Sequence, residues 1–144
     1  MLTVTTILKH KGRAIYQVGP NATVYDALRL MAEHNCGALI VIDGERAVGM
    51  ISERDYARKV VLHGLLSKET PVHEIMEKKV LTVALDASVA TCMTLMTESR
   101  SRHLVVTNVH EIVGVISIGD VVKALMDEQS FTIKQLETYI TGSR

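Results

Sequence analysis

The chain has 144 residues, 47% of them hydrophobic but only 3% aromatic, with sixteen basic and sixteen acidic side chains and a formal net charge of zero. That length and apolar content allow one domain or two very small ones, with a core of Val, Ile, Leu, Met and Ala. Zero net charge, a single Phe and no Trp speak against nucleic-acid partners, and no uncharged run reaches the length of a membrane span, so a soluble, cytoplasmic protein is expected.

In chain order, VTTIL (Val4 to Leu8) reads as a short helical segment, and AIYQV (Ala14 to Val18) as a lead-in strand closed by the turn GPN. Thr23 then stands as a helix N-cap before Val24, Ala27, Leu28 and Met31, which recur at helical spacing. ALIVID (Ala38 to Asp43) and AVGMIS (Ala47 to Ser52) are β-branched runs within hairpin reach of each other. A second helix is predicted after Ser52, with Ala57, Val60 and Val61 on its apolar face.

HGLLSKETP (His63 to Pro71) reads as a connection, and VHEIM (Val72 to Met76) as a helical turn entering a second copy of the same pattern. There VLTV (Val80 to Val83) leads in, Ser88 caps a helix carrying Val89, Cys92, Met93 and Met96, and HLVVTN and IVGVIS form the hairpin. The following helix is expected to face inward through Val122, Leu125 and Met126. From Ser130, read as a cap, Ile133, Leu136 and Ile140 predict a third helix, packed on the body or on a partner.

The two copies align without a gap when Gly49 is set on Gly114. Identical pairs then include Val24 and Val89, Met31 and Met96, Leu39 and Leu104, Ile51 and Ile116, Ser52 and Ser117, and Asp55 and Asp120. Each copy is β-α-β-β-α, too small to bury both faces of its sheet, so an α+β fold is predicted in which two units pack sheet to sheet about a pseudo-twofold axis, with a C-terminal helix. The expected organisation is residues 1–66, 67–129 and 130–144, in one compact module.

The repeated GMISERD and GVISIGD have two readings. Ser followed three residues later by Asp is a capping-box pattern that satisfies orphan amides and needs no ligand. The same hydroxyl and helix N-terminus can also hold a phosphate, with the carboxylate one turn on accepting from a ribose diol.

This order of elements, with GMISERD, GVISIGD and RHLVV at Arg102 to Val106, resembles a tandem CBS-domain pair, the Bateman module. The resemblance covers nearly the whole chain. It implies a regulatory module without catalytic cofactor that binds an adenine nucleotide, AMP, ATP or NAD(H), pairs as a homodimer and signals to an effector protein. Carried onto this chain, the ribose and phosphate residues are Asp55 and Ser52 in the first copy and Asp120 and Ser117 in the second; beside them Arg54 is read as a phosphate partner, and its counterpart Gly119 as a position that permits closer backbone approach. Arg102 and His103, which replace Gly37 and Ala38, are added as second-copy cations. Val18, Ala38, Leu39 and Val83 are expected to line an apolar slot for the base. Because Arg54 has Gly119 as its counterpart, the two sites are expected to differ in affinity.

Intrinsic catalysis is disfavoured. The six histidines show no metal-ligand spacing, and neither a Walker loop nor GxSxG nor GxGxxG occurs. Cys36 and Cys92 read as buried thiols in a reducing compartment. The rival to ligand binding is a ligand-free dimerisation scaffold.

Overall fold

The computed structural model describes residues 2–140. The chain divides into two compact units, residues 14–81 and residues 1–13 with 82–144. The compact units therefore cut the chain differently from the boundaries read at residues 66 and 129. The reason is the packing of the two short helices that precede the repeats.

In the unit of residues 14–81, β1 (Gln17–Val18) pairs in parallel with β2 (Ala38–Asp43), and β2 pairs antiparallel with β3 (Arg46–Ser52), giving a sheet of order β1-β2-β3. Helix α2 (Val24–His34) joins β1 to β2. Its N-cap Thr23 accepts from the Asp26 amide, and Asn35 closes it in the left-handed conformation that Asn tolerates. Buried Val24, Ala27 and Met31 from this helix meet Leu39, Val41 and Ile51 from the sheet. Val72 and Ile75, from the short helix α4 (Val72–Ile75), complete the same core, which is why α4 falls within the compact unit of residues 14–81.

The other unit repeats this plan with β4 (Thr82–Ala84), α5 (Val89–Ser99), β5 (His103–Asn108) and β6 (Glu111–Ser117), in a sheet of order β4-β5-β6. Here the place of α4 is taken by α1 (Val4–Lys11), from the far end of the chain. The backbone bonds match one for one. Val4 N–H donates to Ala87 as Val72 N–H donates to Ala22, and Thr5 N–H to Leu85 as His73 N–H to Pro20. Each sheet is thus closed by a short helix that precedes the other repeat in sequence.

The motif glycines record that closure. At Gly49 a Cβ would lie 2.6 Å from the Glu77 carbonyl oxygen and 2.8 Å from Met76 Sδ, and at Gly114 it would lie 3.0 Å from Leu8 Cδ2. At Gly49 only a residue without Cβ lets the Met76–Glu77 segment lie so close to the strand, whereas at Gly114 the contact is with a side-chain methyl that can shift.

The last helix of each repeat departs from expectation. In the first copy one turn, α3 (Glu53–Asp55), passes into a π-helix, Tyr56–Val61. Its wider winding leaves Val60 buried while Ala57 and Val61 face solvent. In the second copy α6 runs unbroken from Ile118 to Ile140, so Ser130 sits inside a helix and caps none. Val121 is its buried residue and Leu125 is half-buried, whereas Val122 and Met126, expected inside, are exposed. Ile133, Leu136 and Ile140 are exposed as well, and do not pack on the body. Residues 141–144 of the expected tail lie outside the described residues.

Candidate functional site

The hairpin register brings each copy's Ser to the end of its second strand, opposite the first residue of the preceding strand: Ser52 faces Ala38, and Ser117 faces His103. The helix then starts where the strand stops. Its first amide donates back to the loop before the hairpin, Glu53 N–H to Gly37 at 3.0 Å and Ile118 N–H to Arg102 at 2.8 Å. A reciprocal cap follows in both copies. Asp55 N–H donates to Ser52 Oγ at 3.2 Å, and Ser52 N–H to Asp55 Oδ2 at 2.9 Å. The second copy has Asp120 N–H to Ser117 Oγ at 3.2 Å and Ser117 N–H to Asp120 Oδ2 at 2.8 Å. Each such box satisfies two orphan amides and contributes about 1 kcal/mol.

Each aspartate also holds a lysine that does not stand out in the repeat. Lys59 Nζ lies 3.2 Å from Asp55 Oδ1, donates to Glu77 Oε1 at 2.9 Å and donates to the Ile75 carbonyl at 3.0 Å. Although burial works to lower its pKa, the bonds to Glu77 and the charge of Asp55 win and hold the Lys59 ammonium above its usual 10.5. The Asp55–Lys59 spacing of four is a helix-face pair readable in sequence. In the second copy that position is Ala124, and the cation arrives from α1. Lys11 Nζ is 2.6 Å from Asp120 Oδ2 and 2.7 Å from the Val115 carbonyl. Burial favours the neutral acid, but the hydrogen bonds from Lys11 and the Ser117 amide outweigh it, so Asp120 titrates below 3.8.

The two carboxylates are consequently unequal. Both oxygens of Asp55 are engaged, Oδ2 by the Ser52 amide and hydroxyl and Oδ1 by Lys59, and the side chain is only 9% exposed. Asp120 concentrates its bonds on Oδ2, is 24% exposed, and borders a groove of about 550 Å³ between α1 and α6, whose walls include Lys11, His10, Lys123 and Phe131.

The other predicted residues fall around these caps. Arg54 is half-buried on the first turn after Ser52. Gly119 is exposed, and a Cβ added there would have Ser117 Oγ as its nearest neighbour, at 3.6 Å. Arg102 is exposed at the helix start and His103 is half-buried beside Ser117. Val18 and Leu39 belong to the core of their unit, and Ala38 and Val83 are buried too. Of the second-copy residues predicted, Asp120 alone borders the groove. Cys92 is buried, which pushes its thiol pKa up, while Cys36 is half-buried. Among the described residues no helix is long and apolar enough to cross a membrane.

A pair of β-α-β-β-α units, each ending in a Ser-capped helix with Asp one turn on, defines a tandem-repeat protein of two like domains. The CBS domain model matches residues 12–62 and 72–127, and the chain belongs to the CBS-domain family. It is similar to the mitochondrial CBS domain-containing protein CBSX3 of Arabidopsis thaliana, at 38% identity over 97% of this chain and 72% of that protein. Among solved structures, a protein with CBS domains from Burkholderia ambifaria is 52% identical with a TM-score of 0.84, covering 88% of this chain and 96% of its own. A CBS domain protein from Pyrobaculum aerophilum complexed with AMP is 25% identical with a TM-score of 0.72, covering 83% and 89%.

Proposed function

We propose that this protein is a sensor of adenine nucleotides, AMP-like or NAD-like, that works as a homodimer and passes their level to an effector protein. The observation that carries the proposal is the reproduction, in both units, of one Ser hydroxyl, one helix start and one Asp carboxylate in the same geometry. The Pyrobaculum relative with AMP bound supports the ligand class.

Asp120 is the readier ribose acceptor, because its carboxylate is the more exposed and borders a groove within the usual range for small-molecule sites, roughly 300–1,000 Å³. Ser117, the start of α6 and the nearby cations Lys11, Arg102 and His103 offer donors for phosphate. Gly119 allows close approach. In the first copy Ser52, Arg54 and Asp55 take the same parts, but a ribose must displace Lys59 from Asp55, so this site binds more weakly. Val18, on the edge strand β1, with Ala38 and Leu39 backs the base in the first copy, and Val83, on the edge strand β4, does so in the second, in each case through main-chain groups rather than buried side chains. A signal arises when the nucleotide binds one arrangement of the protein better than another.

The saturation of Asp55 favours a second reading for the first copy alone, that its Ser and Asp are a structural cap. A thermal-shift series with AMP, ADP, ATP, NAD⁺, NADH and S-adenosylmethionine tests both. Ligand at 100 times its dissociation constant adds about 2.7 kcal/mol per site, roughly 5–10 °C here. A rise that Asp120→Ala abolishes and Asp55→Ala spares fits one working site. No rise with any ligand would leave a ligand-free scaffold.

A further inference from the structure

The family match ends at residue 127, yet α6 runs on to Ile140, and every side chain from 127 to 140 is exposed. A helix gains most of its stability in proteins by packing an apolar face, and the described residues provide no cover for this one. Its exposed apolar residues are ordered, however. Val122, Met126, Ile133, Leu136 and Ile140 follow one another at alternating steps of four and three, with Gln129 in the one polar position of the series. A 3.5-residue spacing makes a seam along the helix, the pattern of a helix that packs lengthwise on another helix. The seam is distinct from the flank turned toward α1, which carries Asp120, Ala124 and Phe131.

We propose that this seam pairs with the same seam of a second copy, antiparallel about a twofold axis. The inference rests on the homodimer reading and gives it a surface. Charge decides the direction. When Met126 lies against Leu136 of the second copy, Val122 meets Ile140 and Gln129 meets Ile133. The flanking positions then bring Lys123 to Glu137 of the second copy and Leu125 to Tyr139. A parallel pair would set Thr132 beside Glu137 and Leu125 beside Ser130, and neither charge would find its opposite. The antiparallel contact is also self-complementary, as a closed dimer requires. With fewer than three heptads of seam, pairing is weak and concentration-dependent.

Sedimentation equilibrium of the full chain tests this, with circular dichroism confirming that each variant is folded. The wild type is expected to dimerise. Ile133→Asp, at an exposed position, is expected to weaken the dimer about 100-fold. Lys123→Glu and Glu137→Lys are each expected to weaken it several-fold, and combining them to restore it. A monomeric wild type would overturn both the homodimer and this surface. A dimer that Ile133→Asp leaves intact would overturn the surface alone, and failure of the combined charge swap to restore pairing would overturn the antiparallel register.

Discussion

Lys11 and Asp120 meet at 2.6 Å across 109 residues of sequence, binding the first helix of the chain to the cap of the second repeat's last helix. The contact makes the segment before the first repeat part of the second repeat's site. It also ties that site to the proton activity of the solvent.

Asp120 carries a pKa below 3.8 in the folded protein. A depressed acid contributes stability above its unfolded pKa and loses it as pH falls through the folded value. Urea unfolding of the wild type should therefore show stability falling below about pH 4. Asp120→Asn, which keeps an acceptor but cannot titrate, should flatten that limb while lowering stability at neutral pH. An unchanged acid slope would show that Asp120 is not the group responsible.

Lys59 gives the opposite limb. Its pKa is raised above 10.5, so its contribution is complete below that value and is lost as pH rises through the folded pKa. Lys59→Met should reduce the alkaline loss of stability. A steeper alkaline loss in the variant would contradict the Lys59–Glu77–Asp55 arrangement.

The two motif glycines should respond unequally. Gly49→Ala drives a methyl into a main-chain carbonyl at 2.6 Å, which moves only if the Met50–Glu77 bridge moves with it. Gly114→Ala meets a leucine methyl at 3.0 Å, which can rotate. Overpacking costs about 1–3 kcal/mol. Chemical denaturation should place Gly49→Ala near the top of that range and Gly114→Ala near the bottom, and equal losses would sink the explanation.

The hairpin tip of the second repeat holds Val109 at φ 49° and His110 at φ 67°, whereas the first repeat uses Gly44 at φ 64°. Two consecutive positive φ values suit Asn-Gly, and a β-branched residue is costly there. Val109→Asn with His110→Gly should stabilise the protein by about 1–2 kcal/mol. Loss of stability would mean that the turn holds another conformation in solution.

The repeat makes the hairpins and the Ser-Asp caps legible, because strand alternation, cap chemistry and an i, i+3 spacing are local properties. Val60 and Val122 show where local reasoning ends. A 3.6-residue period turns both inward, but π winding leaves Val60 as the only inward residue of its set, and in α6 the inward residue is Val121. Ser130 carries a cap's side chain inside an uninterrupted helix, since propagation from Ile118 outweighs one residue's preference. Lys59 is readable as a helix-face partner of Asp55. Lys11 is not, because nothing near residue 11 marks a partner at residue 120. The same holds for the exchange of α1 and α4 between repeats, which depends on packing that only the folded chain reveals.

Whether this chain senses a nucleotide through Asp120 is decided by isothermal calorimetry of AMP into the wild type and Asp120→Ala, each shown to be folded. Saturable heat is expected in the wild type, and its loss in Asp120→Ala. Undiminished binding in Asp120→Ala, or no binding by the wild type of AMP or of NAD⁺ titrated in the same way, would contradict the assignment.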